Sequence, residues 1–372
     1  MRVVFWTAAI LLGWAQAGYA LWLGWLSRGA TTAPARPAAD PPTVSLIVAA
    51  YREEDVIADK VANALALDWP RDRLEVIVAV DGAADATAER ARAAGADQVL
   101  DLPRGGKMRA QDAAVSASRG QIVAFSDANA MWEPEALRTL IAAFEDPEVA
   151  YACGQVAFLN PGGTNQEGVY WRYEMWMRAR ESQLHSITAG NGAIYAVRRE
   201  DYIAFDPPMG HDMAMPPELV RRGRRAVYVP AARATETMVP DIEGEWERKR
   251  RMLNRVWRIL RISNIRRLDQ YPPLYAAMLA SHRILRYLTP FFHIATTLSA
   301  AALARRGPRL YRAAFAAQVA LLAAAAAGDR LRSRPLLVAR YYVLTQAAVA
   351  AGLYDHVRHG TPEGWEPAAG TR

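Results

Sequence analysis

Polar and apolar positions divide the chain into three regimes. From Val3 to Leu26 the run VVFWTAAILLGWAQAGYALWLGWL carries no ionisable side chain except Tyr19. A helix of that length crosses the roughly 30 Å hydrocarbon layer of a bilayer. A cleaved signal peptide is the rival reading. The run exceeds the usual h-region, and Tyr, Trp and Leu stand where a small-residue cleavage site is expected, which favours an anchor. SRGATTAPARPAADPPT then breaks the pattern with Pro, Ala and two arginines, as a linker does.

From Thr43 to about Pro240, strand-like apolar runs alternate with helix-like segments: TVSLIVAAY, EEDVIADKVANALALD, LEVIVAVD, ATAERARAAG, ADQVLDL. This βαβαβ order predicts a largely parallel sheet covered on both faces, with ligands bound beyond the carboxyl ends of the strands. In the last third, Tyr287 to Ala304, Ala313 to Gly328 and Leu336 to Tyr354 are apolar again. Two or three membrane segments fit. The second is short and Ala-rich and the third contains Arg340, so surface-lying amphipathic helices stay open. Basic residues flank both connecting loops, and the positive-inside rule does not orient them. PPLYAAMLASHRILRYL mixes apolar positions with His282, Arg283 and Arg286, the pattern of a helix lying in the membrane interface. The expected layout is a transmembrane helix over 1–27, a linker over 28–42 and an α/β domain over 43–268. An interfacial helix over 269–287, two or three transmembrane helices over 288–354 and a polar tail over 355–372 complete it.

Composition changes this picture little. With 372 residues, 52% of them hydrophobic, the chain can supply both membrane helices and one domain of ordinary size. The net charge of +7 is concentrated from Arg221 to Arg225, from Arg248 to Arg267 and in the C-terminal loops. That suits anionic lipid headgroups or a diphosphate better than a nucleic-acid stripe, and no nucleic-acid partner is expected. The lone Cys153 excludes an intramolecular disulfide and a multi-cysteine zinc site.

Candidate chemistry gathers at the strand ends. Tyr51 and Glu53 close the first strand and Asp81 the second, so a ring and two carboxylates could hold a base and a ribose. Asp81-Gly82 is equally ordinary turn chemistry. Lys107 follows Gly105-Gly106, whose backbone could approach a phosphate while the lysine supplies charge; a solvated surface lysine explains it as well. The spacing is not that of a P-loop. Asp127 and Asn129 point the same way in an extended segment, and one carboxylate, one amide oxygen and two phosphate oxygens would suit Mg2+ or Mn2+. A generic helix-start loop is the alternative.

In order, AAYREE, VDGAADAT, GGKMRAQDAA, GQIVAFSDAN, AGNGAIYAVRR and GHD followed by RKRRMLNR resemble the processive, membrane-bound family 2 glycosyltransferases. The likeness covers residues 43 to about 258. The flanking apolar segments resemble those of bacterial exopolysaccharide, poly-N-acetylglucosamine and cellulose synthase-type subunits. The resemblance implies the GT-A fold, an α/β Rossmann-like, mostly parallel sheet with helices on both faces, plus N- and C-terminal transmembrane helices.

It also implies roles: Tyr51, Glu53, Asp81, Lys107 and Asp127 at the nucleotide, Asp127 and Asn129 at Mg2+ or Mn2+, and Asp212 as the general base. Asn129 stands where the family has a second acid, and metal affinity should be lower. Gly190, Asn191 and Gly192 resemble the acceptor-side loop, and a tight turn would look the same. His211 holds the partner position of the base, either tuning the acid or filling space. Arg248, Arg251 and Arg255 share one helix face at i, i+3 and i+7 and could clamp a diphosphate or lie on anionic lipid. The family's Gln-x-x-Arg-Trp is replaced and Trp257 displaced, which puts long processive polymerisation in doubt. Trp257 is grouped with His211 and the glycine loop on the acceptor side.

The implied function is inverting, metal-dependent transfer from a UDP-sugar donor to a carbohydrate or lipid-linked acceptor, in cell-surface polysaccharide or glycolipid synthesis. Membrane lipids and other polysaccharide synthesis or export proteins are the implied partners. The implied location is the inner membrane, multi-pass, with the catalytic domain cytoplasmic. A catalytically inactive nucleotide-sugar-binding subunit and a structural scaffold of an export complex remain the alternatives.

Overall fold

The computed structural model describes residues 1–30, 40–82, 84–159, 167–207, 209–237, 242–305, 307–331 and 333–361. Most of the expected linker and the end of the polar tail lie outside them. Eight strands form one sheet in the order β3-β2-β1-β4-β7-β6-β8-β5. They are β1 (Val44–Ala50), β2 (Leu74–Asp81), β3 (Gln98–Leu102), β4 (Ile122–Asp127), β5 (Met131–Trp132), β6 (Val149–Leu159), β7 (Ile194–Arg198) and β8 (Arg225–Thr237). β1 runs parallel to β2 and β4, and β2 to β3, as the βαβαβ pattern predicts. The other half is mixed, because β7 joins β4 and β6 antiparallel while β8 is parallel to β6.

The helices are α1 (Arg2–Gly13), α2 (Tyr19–Leu26), α3 (Ile57–Leu65), α4 (Thr87–Ala93), α5 (Lys107–Ala117), α6 (Ala136–Ile141) and α7 (Glu167–Leu184), followed by α8 (His211–Arg221), α9 (Ile242–Ile262), α10 (Pro273–Leu279), α11 (Thr289–Ala304), α12 (Arg309–Leu331) and α13 (Arg334–His359). Every residue of β1 is buried. Val48 and Ala50 pack with Ile57, Val61 and Ala91 of α3 and α4, and Ile47 packs with Ala110 and Ala114 of α5 on the opposite face. A strand covered on both sides takes a polar residue only where it finds a partner, as Ser45 does in Glu75 at 2.6 Å, so the side chains open to a ligand fall at its carboxyl end.

Among the described residues, three helices are long and apolar enough to cross a membrane: Arg2–Leu26, in which a π-helical turn joins α1 to α2, together with α12 and α13. With its 16 residues, α11 is not among them. Arg340, unexpected in an apolar segment, pairs with Asp329 at 3.0 Å. An apolar cluster that includes Leu23, Met213, Val256, Ile259, Tyr275 and Val349 joins α2, α8, α9, α10 and α13, so the apolar helices dock directly on the α/β domain.

The stretch expected to lie in the interface is oriented differently. His282 sits 2.6 Å from Glu181 and 3.1 Å from Glu174, Arg286 lies 2.6 Å from Glu174, and Arg283 donates to Thr188 at 3.0 Å. The three basic side chains face α7 rather than headgroups, because two buried acids there would otherwise lack counter-charges.

Candidate active site

Asp81, Asp127 and Tyr51 all lie at carboxyl ends of parallel strands, where the chain order reverses between β1 and β4. Asp81 is 2% exposed, and its carboxylate accepts from Gly105 N–H at 2.6 Å and Gly106 N–H at 2.9 Å and pairs with Arg104. The guanidinium of Arg104 lies 3.4 Å over the Tyr51 ring centroid. Tyr51, Arg104 and Asp81 are therefore one unit, and Arg104 is a member that the sequence pattern did not single out. Gly82 makes the approach possible: its φ is +63°, and a Cβ there would lie 2.6 Å from Arg104 N.

A cavity of about 1280 Å3 opens beside this unit. Glu53, Lys107, Asp127, Asn129, Gly190, Asn191, Gly192, His211, Asp212, Arg248, Arg251 and Arg255 all line it; Tyr51, Asp81 and Trp257 do not. Lys107 opens α5 after Gly106, whose φ is +89°, and forms an ion pair with Asp127. The next motif residue, Asn129, donates its amide to Glu236 at 3.1 Å. Glu236 lines the same cavity, and burial, together with Asp127, pushes its carboxyl up to about 7. No sequence signal marked it. Its place follows from register: Thr235 of β8 pairs with Met131 of β5, which brings Glu236 beside the loop that carries Asn129.

A hard divalent cation takes oxygen ligands, and Mg2+ commonly uses one or two carboxylates with substrate phosphates. Asp127, Asn129 and Glu236 bring oxygens of that kind to one wall of the cavity, where Asp127 is paired with the Lys107 ammonium. Among the described residues no three His, Cys, Asp or Glu side chains form a ready-made metal cage. The remaining oxygens would have to come from a ligand. Beneath the loop, Lys60 is fully buried and donates to Ala130 C=O at 2.6 Å; burial lowers its pKa to about 7. This lysine pins the segment just after Asn129.

Asp212 lies in the first turn of α8. Burial raises its carboxyl above the ordinary aspartate value, Lys107 opposes the rise and Asp127 adds to it. Its backbone carbonyl accepts from Gly190 N–H at 2.6 Å, which couples it to the glycine loop. That loop is rigidly held. Arg178 donates to Gly190 C=O at 2.8 Å, and Asn191 donates to Gly154 C=O at 2.7 Å while its oxygen accepts from Ala193 and Ile194. Asn191 is thus the loop's internal brace, and Gly192 is the position that faces the charges: a Cβ there would lie 3.5 Å from Lys107 Nζ.

His211 is 2% exposed, with Tyr195 Oη 2.9 Å from Nδ1 and Tyr202 Oη 3.1 Å from Nε2. Burial, helped by Lys107, drops its pKa to about 3, so the ring is neutral and braces the start of α8. Both ring nitrogens are engaged by tyrosines, which leaves an acceptor sugar little to bind. The cationic face of α9 does reach the cavity. Arg248 is held by two 2.8 Å bonds to Glu245, and Arg255 has its pKa lowered by burial and by Arg251, with Asp212 opposing. Trp257 turns the other way, donating to Val349 C=O at 2.9 Å and packing against Tyr287 and Phe291. It fastens α9 to α13.

Residues 41–255 match the family described as glycosyltransferase like family 2. An N-acetylglucosaminyltransferase of Rhizobium leguminosarum bv. viciae is 26% identical over 245 residues, 59% of this chain and 58% of that protein. One of Mesorhizobium japonicum is 26% identical over 237 residues, 57% of this chain and 55% of that protein. The chain thus matches somewhat more than half the length of these curated relatives. The mannosyltransferase PcManGT from Pyrobaculum calidifontis, solved in complex with GDP-Man and Mn2+, superposes with a TM-score of 0.71. It is 22% identical, over 95% of this chain and 98% of that one, a likeness of fold that takes in the flanking helices. With its sheet, its strand-end acids and a family match over more than half its length, the chain belongs to glycosyltransferase family 2 and has the GT-A fold.

Proposed function

We propose that the protein is an inverting, metal-dependent glycosyltransferase moving a sugar from a nucleotide diphosphate sugar, UDP-linked, to a carbohydrate or lipid-linked acceptor. The observation that carries the reading is convergence. Asp127, Asp212, Lys107 and the Arg248, Arg251 and Arg255 face, contributed by four separate segments, line one cavity. The name of the two relatives favours an N-acetylhexosamine.

In this reading Asp212 takes the proton from the acceptor hydroxyl as that oxygen attacks the anomeric carbon from the side opposite the diphosphate. A carboxyl raised above its usual value holds that proton better than an ordinary aspartate. Lys107 and the α9 arginines stabilise the charge that collects on the leaving diphosphate. A divalent ion held by Asp127, Asn129 and Glu236 would supply further neutralisation of that charge. Tyr51, Arg104 and Asp81 form the nucleoside end, where the guanidinium now over Tyr51 gives way to a base or sandwiches it. His211 keeps α8 in position. The protein would sit in the inner membrane as a multi-pass chain, its α/β domain on the cytoplasmic side, within cell-surface polysaccharide or glycolipid synthesis.

Purified protein incubated with radiolabelled UDP- and GDP-sugars, Mn2+ and membrane extracts should turn over one UDP-sugar. Asp212→Asn should lose turnover and keep UDP binding. Turnover undiminished by this substitution removes Asp212 as base, and no turnover of any donor removes the enzymatic reading.

A further inference from the structure

The cavity holding Asp127 and Asp212 does not end within the α/β domain. Its far wall is α13, which contributes Val338, Tyr341, Tyr342, Thr345, Gln346 and Val349. α13 is one of the helices long and apolar enough to cross a membrane. A second cavity, of about 370 Å3, lies among α11, α12 and α13 and is lined by apolar residues including Leu298, Leu321, Leu322 and Ala347. At its edges Ile294, Leu298 and Leu322 are 53%, 65% and 55% exposed, so it is open sideways, toward the space that lipid would occupy. The two cavities share Tyr342 and Gln346.

Polar side chains gather at this junction. Gln16 donates to Tyr342 Oη at 2.8 Å, His293 lies 2.6 Å from Tyr342 Oη and 2.9 Å from Gln318 Oε1, and Thr289 donates to Gln346 Oε1 at 2.6 Å. Polar groups among membrane helices are costly, and they mark substrate paths more often than random positions do. Here they ring the point where an apolar groove meets a polar cavity.

We propose that the groove holds the apolar tail of a membrane-resident acceptor, whose hydroxyl-bearing head reaches past Tyr342 and Gln346 toward Asp212. This rests on the glycosyl-transfer reading above and names its acceptor. The approach from the groove is lined by side chains already held within the protein, Arg286 by Glu174 at 2.6 Å, and Lys249 and Arg248 by Glu245 at 3.0 and 2.8 Å. In the step itself the lipid hydroxyl oxygen bonds to the anomeric carbon and the carbon–oxygen bond to the diphosphate breaks. The electron pair leaves with the diphosphate, and the hydroxyl proton goes to Asp212.

The test uses the full chain in vesicles made from lipids of its native membrane, separated into neutral and anionic fractions, with radiolabelled UDP-sugars and Mn2+. Label should enter the organic phase with at least one of the two fractions. Leu322→Trp and Ala347→Trp, which fill the groove, should each cut that transfer by about tenfold or more, with the melting temperature and the affinity for UDP and Mn2+ unchanged. Transfer only to soluble oligosaccharides, or undiminished in correctly folded groove variants, overturns the proposal. If both variants fail to fold, the lipid fractions alone decide it. Donor turnover onto soluble glycans alone sinks the lipid acceptor and leaves the glycosyl-transfer reading standing, whereas no turnover onto any acceptor or water sinks that reading itself.

Discussion

The side-chain amide of Asn129 donates to the carboxylate of Glu236 across 3.1 Å, joining the loop after β4 to the end of β8. Of the side-chain atoms of Asn129, only the amide oxygen has the chemistry to ligate a hard cation. In the proposed metal site, Glu236 from a distant strand supplies the second acid that Asn129 lacks. Glu236→Gln should weaken Mn2+ binding by about tenfold or more, and Asn129→Asp should tighten it. Titration calorimetry with Mn2+ in the presence of UDP reads both, and an unchanged affinity in Glu236→Gln would remove Glu236 from the metal site.

If Asp212 is the base, as proposed, Asp212→Asn keeps its shape and loses its basicity. The turnover number should fall by roughly 10²- to 10⁴-fold with UDP affinity unaltered. Steady-state kinetics beside calorimetry separates the two, and a parallel loss of UDP binding would instead make Asp212 a donor ligand.

The pH profile tests the same residue in another way. Burial raises the Asp212 carboxyl, so it keeps its proton to a higher pH than a free aspartate. As pH falls, the base is lost earlier. The acid limb of kcat/KM should therefore have its midpoint above 3.8, the ordinary value. Lys107 opposes the rise, so Lys107→Met should move the midpoint further up, whatever it does to the plateau rate. A downward movement contradicts the electrostatics described.

The glycine loop gives a contrast between neighbours. A Cβ at Gly190 would lie 2.0 Å from Oη of the fully buried Tyr151, so Gly190→Ala should destabilise the fold by about 1–3 kcal/mol. At Gly192 the nearest atoms are Lys107 Nζ at 3.5 Å and Asp127 Oδ2 at 3.7 Å, ordinary contact distances. Gly192→Ala should melt like the wild type and raise KM, because the added methyl takes space beside the charged pair. Thermal denaturation and kinetics on the two variants check this, and equal melting losses would contradict it.

Trp257→Phe removes the donor to Val349 C=O and leaves a ring. Stability should drop by about 1 kcal/mol, with KM for donor and acceptor unchanged. A raised acceptor KM at full stability would restore Trp257 to the acceptor side.

The pattern of residues alone determined the parallel half of the sheet and the places where chemistry could begin. β1, β2 and β4 are buried along nearly their whole length, so their apolar runs are unambiguous and Tyr51, Asp81 and Asp127 fall where those runs end. Helical period likewise placed Arg248, Arg251 and Arg255 on one face. What the residues face was decided by the tertiary structure. Asn129 and Glu236 are 107 positions apart, and only the register of β8 against β5 and β6 makes them neighbours. Buried acids on α7 turned His282, Arg283 and Arg286 inward, a carbonyl on α13 took the Trp257 indole, and two tyrosines took the His211 ring. Local periodicity records which side of an element is apolar. It carries no record of which distant atom comes to lie opposite a polar one, and that opposition sets each group's charge, its hydrogen bonds and its reach.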